Sequence, residues 1–315
     1  MAIQADGDDL QFSEIQTEFG GSNPIAISEY YSGGDNVPSS ATDVPTSGQI
    51  LMSDFYGTQN YAAIAFSGGT ITTSGDYKFI KFTSSGTFAV SGVAAGPADN
   101  TIDFGMIAGG GGGGKRYHGG GGGAGGMITG TFEAEVKNYS ISIGAGGAAS
   151  SSSHGGQGAN TTMTDRTTCL GGGYGAGQYF FNASSGGSGG GGARSNTAVS
   201  QAAAGTSGQG NAGGQPSSSQ QQGGGGGGKG SAGGVSGGGS GANAIDGTTY
   251  AEGGNGATGY NGAASGSGQG GSGGVGGSGA ANTGAGGGGS ERAGNFRGAS
   301  GGGSGIVVLR LKFEN

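Results

Sequence analysis

A glycine tract that leads back into a β-strand constrains this chain more than any other feature. Residues 105–305 hold 76 of the 89 glycines, and the chain then continues as Ile306–Phe313, where apolar residues alternate with Arg310 and Lys312. Such alternation is the period of a half-buried strand. A strand needs partners, so the tract is an excursion from a folded domain rather than a disordered tail. We expect this closing strand to pair near residues 102–106 or 139–143.

Composition restricts the fold class further. Charged residues are 10% of the chain, tryptophan is absent and apolar residues are 31%, so one large hydrophobic core is excluded. Five prolines without a G-X-Y period exclude collagen. Because glycine loses the most conformational entropy on ordering, an ordered tract needs many backbone hydrogen bonds.

Three further sequence features bear on location and redox chemistry. Cys169 is the only cysteine, which excludes a disulfide framework. The first residues lack the basic and apolar regions of a secretory signal. No apolar run approaches the ~20 residues that span a bilayer. We expect no membrane insertion.

Charge is concentrated at the start of the chain. Residues 1–60 hold nine acids and no lysine or arginine, whereas the remainder holds ten acids and twelve bases. An acidic segment does not indicate nucleic-acid binding. It either meets a basic surface on a partner or aids solubility, and both readings stay open.

The same segment contains a weak threefold repeat of an apolar residue, a serine, an acid and a large apolar residue, in 12–15, 27–30 and 52–55. Serine favours a helix N-cap and an acid complements the first turn, so each unit predicts a short capped helix that ends at glycine. The apolar side chains either form a tiny independent core or are buried in an assembly, and we favour assembly. The candidate attachment residues are Phe12, Ile15, Phe19, Ile27, Tyr30, Tyr31, Met52, Phe55 and Tyr56.

Residues 10–57 resemble the N-terminal segment of many tailed-bacteriophage virion proteins, commonly tail fibres. The resemblance rests on Glu18–Ile25, Ser28–Gly34, Val37-Pro38 and Ser53–Gly57. It implies that residues 1–60 form a virion-attachment and assembly segment.

Short apolar and β-prone runs, some of them strictly alternating, predict a β scaffold over 61–145, completed by the closing strand 306–313. The predicted strands are 61–66, 77–82, 87–90, 102–106, 127–132 and 139–143, and 84–86 predicts a hairpin turn. We therefore predict a mainly β fold: a small sheet or sandwich that carries the glycine-rich region 105–305 and follows a short segment of small capped helices.

The scaffold also resembles the glycine-rich domain of phage tail fibres and bacterial surface proteins. The motifs are Phe82–Phe88, a strand that enters poly-Gly, Ile141–Gly147 and the closing Gly305–Arg310. In some tail-fibre adhesins such tracts form packed polyglycine-II helices with three residues per turn. Irregular glycine loops over a sheet are the alternative reading.

Aromatic residues interrupt the glycine tract at a few places. Rings flanked by polar groups suit recognition of a carbohydrate or protein, although the same rings could cover a thin core. The candidate receptor contacts are Tyr117, Tyr174, Tyr179, Phe181, Tyr250, Tyr260 and Phe296. His118 and His154 have no partners at metal-ligand spacing. We expect no enzyme activity, no catalytic residues, no metal and no cofactor.

Together these features predict a virion structural protein of the phage tail, assembled in the host cytoplasm. We expect a homotrimer that docks on other tail proteins and contacts a host cell-surface glycan or protein, without binding nucleic acid. A decoration protein of the head or tail without a receptor role is one alternative, and a bacterial glycine-rich surface adhesin is another. A polyglycine ice or mineral binder is disfavoured by the scattered rings.

Overall fold

The computed structural model describes most of the chain. The described residues are 10–21, 26–34, 36–37, 41, 43–55, 64–93, 100–116, 118–149, 153–177, 182–194, 199–217, 219, 221–258, 271, 277–290 and 299–312.

Short helices come first and strands follow. Helix α1 is Phe12–Phe19, and two 3-10 helices are Ile27–Glu29 and Met52–Phe55. The strands are β1 (Ala65–Ser67), β2 (Thr70–Ser74), β3 (Tyr77–Phe82), β4 (Gly86–Gly92), β5 (Thr101–Ile107), β6 (Met127–Glu133), β7 (Asn138–Ser142), β8 (Thr162–Met163), β9 (Ala242–Asn243), β10 (Thr249–Tyr250) and β11 (Ile306–Lys312). The prediction of a mainly β fold with small N-terminal helices is confirmed.

Two antiparallel sheets form a sandwich. One has the order β1-β4-β7-β8 and the other has the order β2-β3-β11-β5-β6. The closing strand β11 lies between β3 and β5, and Leu309 is opposite Ile80 on one side and Phe104 on the other. The prediction that the closing strand pairs near residues 102–106 is therefore confirmed, although its second partner is β3 rather than β7.

The predicted hairpin between residues 77–82 and 87–90 is wrong. β3 pairs with β2 and β11, whereas β4 pairs with β1 and β7, so the two strands belong to different sheets. Ile80 on β3 and Phe88 on β4 contribute to the same buried core. The connection 83–85 therefore turns the corner of the sandwich, because that path lets both strands bury their apolar faces.

The sandwich core is small and aromatic. Its fully buried side chains include Ile80, Phe88, Ile102 and Leu309. Cys169 also lies in this cluster, and its thiol donates to the backbone oxygens of Met106 and Gly126. Burial raises the pKa of the Cys169 thiol to about 12. This cysteine is a structural core residue.

A β-hairpin covers part of the outer face of the five-stranded sheet. It consists of β9 and β10, and its Tyr250 packs with Ile107 and Val308 of the sheet. Asp246 in its turn lies 2.6 Å from the Lys81 ammonium and accepts a hydrogen bond from the Tyr250 hydroxyl. Val308 is buried for this reason, although it lies on the partly charged face of β11.

The N-terminal segment has a core of its own. Ile15, Phe19, Tyr30 and Phe55 are buried together, with the Tyr30 and Phe55 rings 6.3 Å apart. Among the described residues, this cluster shares no member with the sandwich clusters. A tiny independent core is thus present, which is the alternative that the sequence analysis disfavoured.

The predicted serine N-caps are wrong. Helix α1 begins after Gln11, and the Gln11 amide donates to the Glu14 carboxylate at 2.7 Å. The Leu51 amide donates in the same way to Asp54 at 2.7 Å. In these two of the three units, the acid accepts the amide hydrogen at the helix start, as the acid of a capping box does. The predicted end of α1 at Gly20 is confirmed.

Among the described residues, none of the helices has the length and apolar character needed to cross a membrane.

Candidate functional site

Four strands of the sandwich continue directly into glycine tracts. β5 leads into residues 108–115, residues 119–126 lead into β6, β7 leads into 143–149, and 299–305 lead into β11. One end of the sandwich is therefore the place from which the glycine tracts start and to which they return. We call the packed tracts the glycine lattice.

Backbone hydrogen bonds in the lattice repeat every three residues. The amides of 108–115 donate in rotation to three neighbouring tracts. The amides of 108, 111 and 114 donate to the carbonyls of 126, 123 and 120 in one neighbour. The amides of 109 and 112 donate to the carbonyls of 159 and 156 in a second, and those of 110 and 113 to the carbonyls of 303 and 300 in a third. A chain that returns to the same neighbour after three residues has the threefold screw of polyglycine II.

The same tract also accepts hydrogen bonds from three further neighbours. Gly172, Gly147 and Gly287 donate to the carbonyls of Gly109, Gly110 and Gly111. Tract 108–115 therefore has six hydrogen-bonded neighbours, and tracts 119–126 and 223–228 follow the same rule. The lattice reading is correct, and the irregular-loop reading is wrong for these tracts. The bonds supply the compensation that ordering so many glycines requires.

Close packing explains why these positions are glycine. A Cβ atom placed on Gly111, Gly113 or Gly122 would meet a backbone carbonyl of a neighbouring tract closer than 3.0 Å. None of these three glycines has a positive φ, so space rather than backbone conformation excludes a side chain. Non-glycine residues inside the lattice are restricted to sites with room, such as Ala124 and Ala176, which are fully buried.

The tracts end together at the side of the lattice opposite the sandwich. The Lys115 amide donates to Ser153 at 2.6 Å, and the Arg194 amide donates to His118 at 3.3 Å. The amide of Ser290 donates to Gly114 at 3.0 Å, and the Arg194 guanidinium donates to the Ser217 carbonyl at 2.9 Å. We call this surface the turn end, and its described residues are 114–116, 118, 153–154, 174–177, 194, 217, 222, 257–258 and 290.

The reversal between the two central tracts uses left-handed backbone. Arg116 has φ 68° and His118 has φ 55°. Non-glycine residues rarely adopt left-handed backbone, which glycine adopts without steric cost. This turn nevertheless has an arginine and a histidine at its left-handed positions.

A stacked ring pair lies at the turn end. The rings of His154 and Tyr174 have centroids 4.5 Å apart and planes 27° apart. His154 is exposed and Tyr174 is half-buried, so the imidazole is the outer ring of the pair. Tyr174 was predicted as a contact residue, but the role of His154 was not, because residues 154 and 174 come together only through tract packing.

Charge is segregated along the molecule. At the turn end the described charged residues are Lys115, Arg116 and Arg194, and no described acid lies there. Described acids lie in the N-terminal segment, in the sandwich, or in and beside the β9–β10 hairpin. The described residues of the turn end therefore include three bases and the stacked rings of His154 and Tyr174.

The other receptor candidates divide into two groups. Tyr250 is 3% exposed in the cluster under the hairpin, and burial together with the Asp246 carboxylate raises its pKa to about 12. Its side chain is therefore not a surface contact. Tyr117, Tyr179, Phe181, Tyr260 and Phe296 lie outside the described residues.

The attachment candidates also divide by burial. Ile15, Phe19, Tyr30 and Phe55 lie in the small N-terminal core, so they can act only by holding that segment together. The remaining described candidates are accessible to different degrees: Phe12 is 39% exposed, while Ile27, Tyr31 and Met52 are half-buried. Tyr56 lies outside the described residues. Their role in attachment stays a prediction.

One surface feature of this segment was not predicted from sequence. An open depression of about 410 Å³ is lined by Asp43, Pro45, Gln49, Leu51 and Asp54, and Leu51 is 48% exposed. Together with Phe12, Leu51 gives the N-terminal segment two large exposed apolar side chains among its described residues.

Among the described residues, no group of three or more His, Cys, Asp or Glu side chains could hold a metal ion.

A family model described as a glycine-rich domain matches residues 83–312. The match starts in the connection before β4 and ends with β11, so it spans the lattice and most of the sandwich but not the N-terminal segment. A comparison with curated proteins gives no match to the chain.

Proposed function

The chain belongs to the glycine-rich domain family, and we propose that it is a phage tail fibre or a closely related tail protein. In this proposal the acidic N-terminal segment docks on other tail proteins. The turn end of the lattice contacts a glycan or protein on the host surface.

One observation carries the proposal: the tracts run between the sandwich and one common turn end. Within the central tracts, neighbouring carbonyls leave no room for side chains at the glycine positions. Sequence is freer in the turns, where the chain has Lys115, Arg116 and His118. A lattice of this kind is a rigid spacer that displays its turns at a distance from its attachment point, which is what an adhesin needs.

The N-terminal segment supports the docking half of the proposal. It has its own core, an open depression with two carboxylates, and the exposed apolar residues Phe12 and Leu51. Exposed apolar groups among like charges suit a partner with a basic surface.

Assembly as a homotrimer is part of the proposal and comes from the resemblance to tail fibres. Analytical ultracentrifugation of the full chain tests it, and a monomer at micromolar concentration would contradict it.

Particle incorporation and adsorption test the two halves of the function separately. Phage particles are purified from lysates that express the full chain or a chain without residues 1–60. We expect the full chain in particles and the shortened chain only in the soluble fraction. Equal incorporation of both chains would contradict the docking role.

Adsorption then distinguishes a receptor-binding protein from a decoration protein. Particles with Tyr174→Ala are compared with particles with Ile71→Ser, which changes an exposed residue of β2 far from the turn end in the sequence and in the sandwich. We expect slower adsorption for Tyr174→Ala alone. Unchanged adsorption for both would favour a decoration protein.

A further inference from the structure

We propose that an uncharged glycan binds along tract 154–160, with one sugar stacked on the ring pair of His154 and Tyr174. The inference rests on the proposed function, because it names the ligand class of the host contact. It also extends the contact from the turn end to a side face of the lattice.

Tract 154–160 presents one residue in three to solvent. The other amides donate to neighbouring tracts: those of 155 and 158 to the carbonyls of 175 and 172, and those of 156 and 159 to the carbonyls of 148 and 145. The third direction of the screw faces outward, and its residues His154, Gln157 and Asn160 are all exposed. We call these three residues the outward row. At a rise of ~3.1 Å per residue, neighbouring members of the row are about 9 Å apart.

The outward row runs from the turn end towards the sandwich. His154 belongs to the turn end. At the other end of the row, the carbonyl of Ala159 accepts the amide hydrogen of Gly109, two residues beyond the end of β5. A ligand that lies along the row therefore contacts the side of the lattice over several sugar units.

Hydrogen bonds join the ring pair to the middle of the row. The Tyr174 amide donates to the Ser184 hydroxyl at 2.8 Å, and this hydroxyl donates to Oε1 of Gln157 at 2.7 Å. Nε2 of Gln157 donates to the Ser185 carbonyl at 3.0 Å. The side-chain amide is thus held in one orientation. Beyond these contacts it has a second N–H group and a second oxygen lone pair, which can meet a ligand.

The end of the row adds further donors. Oδ1 of Asn160 accepts the amide hydrogen of Gly171 at 2.9 Å, which fixes the orientation of this side-chain amide as well. Its NH₂ group supplies two more N–H donors on an exposed residue. The row therefore combines a ring pair with two oriented amides at regular spacing.

The tracts that build this face carry no charged residues in their sequence. Residues 143–160 and 170–193 contain no Asp, Glu, Lys or Arg. A charged ligand would therefore find no opposite charge in these segments. Recognition here depends on ring stacking and on hydrogen bonds between neutral groups.

An uncharged glycan matches this set of groups. A pyranose has an apolar C–H face and hydroxyl groups around its edge, so the ring pair can pack on the face while the amides bind the hydroxyls. Beside the row, the neighbouring tract exposes only the methyl groups of Ala145 and Ala148 at its outward positions. An extended glycan can therefore contact the rings and both amides at once, which raises its avidity.

Binding to defined polysaccharides tests the ligand class. The full chain is applied to an array of purified bacterial surface polysaccharides, some neutral and some acidic. We expect binding to at least one neutral polysaccharide, with an affinity that stays within about twofold as NaCl is raised, because salt screens only charged contacts. Binding to no neutral polysaccharide, or binding that salt abolishes, would overturn the proposal without any variant.

A double variant and a matched control locate the site. His154→Ala with Gln157→Ala removes the outer ring and the middle amide. Gln215→Ala is the control, because Gln215 is also exposed and its side-chain oxygen also accepts a hydrogen bond, from the Ala202 amide at 3.3 Å. Among the described residues, its tract exchanges no backbone hydrogen bond with tract 154–160.

We expect the double variant to bind the neutral polysaccharide about tenfold more weakly and the control to stay within about twofold of the wild type. Both should keep the wild-type melting temperature, since the replaced side chains are exposed. Equal affinity of the double variant and the control would overturn the proposal.

Adsorption to treated cells separates this inference from the proposed function. Wild-type particles should lose adsorption to cells oxidised with periodate, which destroys sugars, and keep it to cells digested with protease. The opposite pattern would leave host contact standing and overturn the glycan in favour of a protein. If the purified chain binds a neutral polysaccharide through the outward row but particles lack the protein, the glycan site stands and the tail-protein function is overturned.

Discussion

Gly122 lies so close to Gly111 that a Cβ atom on Gly122 would overlap the carbonyl oxygen of Gly111. The Gly122 amide donates to Gly287 at 2.8 Å, and its carbonyl accepts the amide hydrogen of Gly254. Both backbone groups are therefore used within the lattice, and the Cα is in contact with a third tract. A side chain at this position would therefore collide with the backbone of the neighbouring tract.

Replacement of Gly122 by alanine should therefore lower the free energy of unfolding. Forcing a methyl group against a packed backbone costs roughly 1–3 kcal/mol or more. Gly237→Ala is the matched control, because a Cβ there meets nothing within 4 Å and its φ is not positive. That control should be neutral or stabilise by up to ~1 kcal/mol. Urea unfolding curves of both variants decide the point, and equal stability would contradict the close packing.

The closing strand should be essential for stability. Leu309 is fully buried between Ile80 and Phe104, so Leu309→Ala should cost about 2–5 kcal/mol. Lys312→Ala, at the exposed end of the same strand, should change stability by less than about 0.5 kcal/mol. Thermal melts of the two variants measure the difference. If the Leu309→Ala protein had the same melting temperature as the wild type, β11 would not complete the core.

Attachment should depend on the exposed apolar residues of the N-terminal segment. Phe12→Ser combined with Leu51→Ser should reduce incorporation into particles while the melting temperature stays constant, because neither side chain is buried. Ile71→Ser on β2 is a control, since Ile71 is 48% exposed, as Leu51 is. Quantitative immunoblots of purified particles give the measurement. Full incorporation of the double variant would remove these residues from the docking surface.

The buried thiol makes stability fall with rising pH. Burial raises the pKa of Cys169 from its ordinary value of 9.0 to about 12. Above the ordinary value the unfolded chain loses a proton that the folded chain keeps, so the free energy of unfolding decreases as pH rises toward about 12. The thiol's contribution is fully present below the ordinary value.

Urea unfolding between about pH 8 and pH 10 tests this, with Cys169→Ala as the comparison. This window avoids most of the titration of Tyr250, whose pKa is raised from 10.0 to about 12. The wild type should lose more stability across the window than the alanine variant. Parallel curves would show that the thiol is not protected from solvent.

Local periodicity predicted the strands well, and non-local pairing explains the errors. β3 was placed to the residue because Tyr77–Phe82 is a short run rich in aromatic and β-branched residues that is followed by a turn signal. β2 was missed because Thr70–Ser74 is exposed at every position and has Ile71 as its single large apolar residue, so it shows no apolar alternation. The turn at 84–86 looked like a hairpin because a short loop fits both a hairpin and a sandwich corner. Only the partners of each strand, which sequence spacing does not specify, distinguish the two.

The lattice was predicted in kind but not in arrangement. The three-residue turn was expected from the resemblance to tail-fibre adhesins. The order of the tracts was not predictable, because glycines have no side chains that would mark which tract lies beside which. The approach of His154 to Tyr174, and of Arg194 to His118, depends on that arrangement. The burial of Tyr250 under the hairpin could not be read from an isolated ring among small residues for the same reason.

Amide hydrogen exchange of the glycines tests the central claim most directly. The chain is labelled with ¹⁵N-glycine, and exchange is followed by NMR after transfer to D₂O. If the lattice is the ordered core of the glycine-rich region, the amides of Gly111, Gly122 and Gly226 exchange as slowly as Gly105 in strand β5. Exchange of these three amides at the rate of an unstructured peptide, while Gly105 stays protected, would contradict the lattice and with it the turn end.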